Sequence, residues 1–94
     1  MHVAIICLDK PDAAPVRAEN RPAHLDYLKA SDDKILVAGP LLSENAQNPI
    51  GSLLIMDFAD LAEARTFAEG DPYKQAGVFE SVTIKPWRQV FPAT

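Results

Sequence analysis

The residues of this chain that could do chemistry are few, and they fall at four places. His24 lies in the run Arg21-Pro22-Ala23-His24-Leu25. On helical spacing Arg17, Arg21 and His24 make one stripe, at i, i+4 and i+7. Asp71 opens Asp71-Pro72-Tyr73, which reads as a helix start with Asp as N-cap and Pro at the first helical position. Gly39-Pro40 and Gly51-Ser52 are either turn punctuation or points where backbone comes close to a ligand. Each place also has a plain structural reading. The stripe fits a solvent-exposed helix face whose arginines pair with nearby carboxylates. Asp71 has a complete role as a cap, which contributes roughly 1 kcal/mol, and Tyr73 can be a packing residue. His2 reads as surface. From the residues alone there is a candidate His24/Asp71 site and no substrate.

Most other chemistries lack their signatures. There is no phosphate-cradling Gly-rich loop, no CxxC pair, no HExxH and no Gly-x-Ser-x-Gly elbow. Two histidines and one cysteine do not supply a protein-only zinc site at an identifiable spacing, so neither metal nor cofactor is expected. Cys7 sits in the apolar run Val3-Ala4-Ile5-Ile6-Cys7-Leu8, where a free cysteine behaves as a small buried hydrophobe. The net charge of −4 is spread without basic blocks, which argues against a nucleic-acid partner. No run approaches the ~18 apolar residues of a membrane span. With no secretory signal at the start of the sequence, the expected location is the cytoplasm.

The elements that must position these residues follow from periodicity. With 94 residues, 48% hydrophobic and 23% charged, the chain reads as one folded domain over residues 1–94. Residues 2–9 are a strand, rich in β-branched and apolar side chains and stopped by Lys10-Pro11-Asp12. Residues 13–31 are helical, with Leu25, Tyr27 and Leu28 on one side and Pro22 expected to kink or restart the helix. A second strand covers 34–42, where Pro40 implies an edge, a bulge or a strand end. A polar loop at 43–49 leads to a third strand at 50–58. Asp60 with Glu63 has the spacing of a capping box, followed by the buried stripe Leu61, Ala64, Phe67 and Ala68 and by Gly70 as the C′ residue. A short helical turn from Asp71 ends at Gly77, and the last strand runs over 78–91.

The order β-α-β-β-α-β is the ferredoxin-like α+β fold, with two helices on one face of an antiparallel sheet. Such a sheet should alternate apolar and polar residues. Here strand one carries Val3, Ile5 and Cys7 on one face and Ala4, Ile6 and Leu8 on the other. Strand three carries Leu54, Met56 and Phe58 against Leu53 and Ile55. Two helices cover one face only, so a second copy of the chain is the simplest cover for the other. A homodimer is expected, with Trp87 as an anchor near its seam.

Five motifs in register resemble one family. Arg21-Pro22-Ala23-His24-Leu25, Ala38-Gly39-Pro40-Leu41, Gly51-Ser52, Asp71-Pro72-Tyr73 with Ala76-Gly77-Val78-Phe79, and Val82-Thr83-Ile84-Lys85-Pro86-Trp87 look like the YciI-like (YCII-related) proteins. The likeness runs in order over nearly the whole chain. It implies the dimeric α+β barrel superfamily, in which two sheets face each other across the dimer. It also implies that His24 and Asp71 match the family's His and Asp, an active-site pair in a cleft. A few relatives are linked to degradation of aromatic compounds, among them a lyase that removes chloride from a chlorinated hydroxyquinol. The wider superfamily includes muconolactone isomerases and small monooxygenases. The loop at 43–49 looks shorter than in some relatives, which bears on substrate class.

The chemistry implied for the pair is proton transfer. An imidazole takes or gives a proton at neutral pH. An aspartate on one ring nitrogen fixes the tautomer and leaves the other for substrate. Arg21 is expected to hold an anionic or phenolate group, with Tyr73, Gly39, Pro40 and Ser52 around the same small-molecule site. That set suits lyase, dehydrohalogenase or isomerase chemistry on a small cyclic or phenolic metabolite. The competing expectation is a non-catalytic small-ligand-binding or accessory dimeric module.

Overall fold

The two strands whose residues are apolar on both faces are the two at the centre of the sheet. In the computed structural model, which describes residues 1–93, β1 (His2–Asp9) and β3 (Pro49–Asp57) pair antiparallel, with Ile5 opposite Leu54. β2 (Ile35–Leu42) and β4 (Phe79–Pro86) flank them, giving the order β2-β3-β1-β4 with every neighbouring pair antiparallel. β2 is thus an edge strand, where Pro40's missing N–H costs no interior ladder bond.

Val3, Ile5 and Cys7 of β1 and Ser52, Leu54 and Met56 of β3 share one face. On it pack Ala64 and Ala68 of α2 (Leu61–Gly70) and Tyr73 of the short α3 (Pro72–Gln75). Val3, Ile5, Met56, Tyr73 and Val78 are the largest fully buried side chains. Burying one such side chain stabilises by roughly 1.5–3 kcal/mol. The capping box forms as its spacing requires: Glu63 N donates to Asp60 Oδ1 at 2.8 Å and Ala59 N to Glu63 Oε2 at 3.0 Å. The observed architecture is the expected ferredoxin-like α+β fold, with its helices on one face.

Three details differ from the sequence-based expectation. α1 (Ala14–Lys29) runs unbroken through Pro22. The bond Pro22 cannot donate belongs to the carbonyl of Ala18, an exposed residue, where water can replace it. β4 stops at Pro86 rather than continuing to 91. Its partner β1 begins at His2, whose carbonyl accepts the last cross-strand bond, from Trp87 N. Gly70 is the last residue of α2 rather than a C′ residue beyond it. A Cβ there would lie 2.5 Å from the Tyr27 hydroxyl, which donates to the carbonyl of Phe67 at 2.8 Å. Gly51, in turn, is needed for a close approach within the sheet, since a Cβ would collide with the carbonyl oxygen of Cys7.

Candidate active site

β1 delivers Asp9 to the helix-covered face by strand parity, since odd-numbered residues of β1 point there. α1 delivers Arg17 from its first turns, and there the two side chains meet. Arg17 Nε donates to Asp9 Oδ2 at 2.7 Å and Nη2 to Asp9 Oδ1 at 2.9 Å, with the two side chains 7% and 6% exposed. Nη2 also donates to Ser52 Oγ of β3 at 2.9 Å, tying three elements together. Burial opposes the charge on Arg17, but the Asp9 hydrogen bond and carboxylate outweigh it and raise the guanidinium's pKa.

Two turns further along α1 is His24, also buried. Its Nδ1 lies 2.9 Å from Asp71 Oδ1. An ionised carboxylate only accepts, so Nδ1 carries the proton. The same Oδ1 accepts the Tyr73 backbone N–H at 2.9 Å, the capping bond of α3. His24 Nε2 makes no hydrogen bond among the described residues, and no buried side-chain nitrogen or oxygen there lacks a partner. Nε2 therefore opens onto free space.

Tyr73 fills the gap between the two basic groups. The His24 ring stacks on it at 3.9 Å between centroids and 14° between planes, and the Arg17 guanidinium carbon lies 4.4 Å from the ring centre. Burial pushes up the pKa of the Tyr73 phenol, and the neighbouring Arg17 pulls against it. Cys7, under the same cluster, has its thiol pushed up to about 12, chiefly by burial and then by the charge of Asp71. It is a packed hydrophobe here, not a nucleophile.

The free space is a cleft of about 360 Å³ between α1 and the β2–β3 half of the sheet. That is the lower end of the size usual for small-molecule sites, about 300 Å³ and up. Arg17, Arg21, His24 and Tyr73 line it on the helix side, and Gly39, Pro40 and Ser52 on the strand side. Six of the seven residues singled out from the sequence thus line the cleft, and the seventh, Asp71, stands behind it, bonded to His24. His24 arrives by a different route from the expected one: it belongs to an unbroken helix face packed on Tyr73, not to a break after Pro22. The exposed-stripe reading holds for Arg21 alone, since Arg17 and His24 are buried. Asp9 and Arg17 were not among the expected site residues. The signals were available, in the parity of Asp9 with Val3, Ile5 and Cys7 and in the two-turn spacing of Arg17 from His24. Among the described residues no three His, Cys, Asp or Glu side chains converge as metal ligands, and no helix is long and apolar enough to cross a membrane.

The Arg17–Asp9 pair supports a stability prediction. Arg17→Met leaves the Asp9 carboxylate buried without its partner and should cost about 3–5 kcal/mol. Asp9→Asn with Arg17→Met removes both charges and should recover most of that loss in urea unfolding. Equal losses in the single and double variants would contradict the pairing.

Comparison with known proteins identifies the family and the fold. The YCII-related domain matches residues 1–88. Protein YciI of Escherichia coli O6:H1 is 38% identical over 98 residues, covering 97% of this chain and 100% of the relative. An uncharacterized protein of Haemophilus influenzae is 35% identical over the same coverage. Among solved structures, the 5-chloro-2-hydroxyhydroquinone dehydrochlorinase TftG of Burkholderia phenoliruptrix AC1100, in complex with 2,5-dihydroxybenzoquinone, superposes with a TM-score of 0.90. It is 33% identical, and both chains are covered completely. Protein Atu4242 of Agrobacterium tumefaciens, 21% identical with a TM-score of 0.55 and both chains fully covered, shares the fold. The chain belongs to the YCII-related family.

Proposed function

We propose that the cleft is the active site of a small-molecule enzyme of the lyase, dehydrohalogenase or isomerase type, acting on a small cyclic or phenolic metabolite. The observation that carries this reading is the buried 2.9 Å bond from His24 Nδ1 to Asp71, with Nε2 left open to a 360 Å³ cleft. Asp71 holds the tautomer and stabilises the imidazolium, and Nε2 is the base. In an elimination the base takes a proton from the substrate and the electron pair left behind moves through the ring. For chloride to leave a chlorinated hydroxyquinol, the carbon that bears it first gains a proton in the keto tautomer of the ring; chloride then departs with its bonding pair and a hydroxyquinone remains. The likeness to a dehydrochlorinase seen with a dihydroxybenzoquinone supports a hydroxylated ring as the substrate class.

The test is chloride release and ring absorbance with a panel of chlorinated hydroxyquinols. His24→Ala should lower kcat about 10²–10⁴-fold, the usual worth of a general base. Asp71→Asn should also lose activity, yet change stability by under about 1 kcal/mol, because Asn caps a helix as well as Asp. Wild-type protein that binds these compounds without turning any over, with His24→Ala only weakening binding, would make the cleft a binding module.

A second copy of the chain covering the bare sheet face completes the proposal. Ile6 and Leu53 are only half-buried on that face, and Leu8 and Val37 stand 46% and 59% exposed. A dimer across it should bury well over ~1,000 Å² in total, the scale of a specific interface. Light scattering at low micromolar concentration should give twice the chain mass. A stable folded monomer there would contradict it.

A further inference from the structure

Arg17 is 6% exposed, but its hydrogen bonds with Asp9 and Ser52 use only Nε and Nη2. Nη1 is engaged by neither, and Arg17 lines the cleft. Tyr73, 2% exposed, lines the same cleft, and its hydroxyl is within hydrogen-bonding reach of the Arg17 side chain. The guanidinium edge and the phenol therefore meet at the cleft as one pair, with the Tyr73 ring between the guanidinium and the imidazole.

We infer that Arg17 Nη1 and the Tyr73 hydroxyl form a subsite for a negatively charged oxygen on the substrate ring, a phenolate or enolate, while His24 works at another position of the same ring. This deepens the proposed function and rests on it for the role of His24. The cleft volume of about 360 Å³ bounds the size of the substrate. It suits a single ring with its oxygen substituents. Asp9 has a double part. It neutralises most of the buried charge of Arg17, which keeps the group affordable in the core, and it turns the guanidinium so that the remaining N–H edge faces the cleft. The other charged groups facing the site are Arg21, which favours an anion, and Asp71, which His24 and the Tyr73 N–H engage on one oxygen. The expected role of Arg21 as the anion holder passes to Arg17 on this account, because Arg21 is exposed and its charge is screened by solvent.

The test uses 4-nitrophenol as a probe, whose phenolate and phenol absorb at different wavelengths. Wild-type protein should bind the phenolate about tenfold or more tighter than the phenol, so the bound probe ionises at least about one pH unit lower than the free probe. The shift should persist in His24→Ala and vanish in folded Arg17→Met/Asp9→Asn. Tyr73→Phe keeps the ring and loses the donor, and should reduce the preference about threefold or more; it carries the test if the double variant does not fold. Absence of saturable binding, equal binding of the two forms by wild type, or a preference unchanged in both the double variant and Tyr73→Phe would overturn the subsite. So would a preference that disappears in His24→Ala, since His24 would then hold the anion. A phenolate preference with no turnover of any hydroxyquinol would leave the subsite standing and sink only the enzyme reading.

Discussion

Asp71 Oδ1 accepts two hydrogen bonds at once, from the Tyr73 backbone N–H and from the His24 ring, and the geometry of the cleft depends on both. The first bond starts α3 and fixes where Tyr73 leaves the backbone. The second fixes the rotation of the His24 ring and the nitrogen that carries its proton. Because one atom serves both, the helix start and the imidazole cannot drift independently. Tyr73 then closes the loop by stacking on the imidazole it shares a carboxylate with. Preorganisation of this kind is what an acid–base site needs, since a misplaced base loses most of its advantage.

Around that atom the protein keeps an unusual amount of charge out of water for a chain of 94 residues. Arg17, His24, Ser52 and Asp71 are all buried, beside an apolar core. Burying an unpaired charge costs several kcal/mol, so such a cluster survives only when every member is satisfied. Here each is engaged: Arg17 by Asp9 and Ser52, Asp71 by His24 and the α3 backbone. Arg17, His24, Ser52 and Tyr73 also line the cleft.

Much of the fold was legible because periodicity and turn chemistry act locally. The apolar runs of β1 and β3, the Asp60–Glu63 capping box and the Asp71-Pro72 start all depend on neighbours a few residues away. The His24–Asp71 contact spans 47 residues and came from the resemblance, not from spacing. Pro22 misled because its local cost falls on a solvent-facing carbonyl, which sequence does not reveal. The end of β4 was misplaced because a strand stops where its partner stops, and that partner is almost the whole chain away. Asp9 ends a strand, and its parity sets it on the core face, but nothing local names its partner. Arg17 shares the helix stripe of His24, and spacing alone leaves open whether that stripe is exposed or buried.

Asp71, 2.9 Å from Nδ1, should hold the His24 ring with its proton on Nδ1 and Nε2 bare toward the cleft. Nitrogen chemical shifts of ¹⁵N-labelled histidine at pH 8, assigned by comparison with His24→Ala, read this directly. Nδ1 should be protonated and Nε2 unprotonated, with that tautomer lost or mixed in Asp71→Asn. A ring protonated on Nε2, or one averaging freely between tautomers in the wild-type protein, would contradict it.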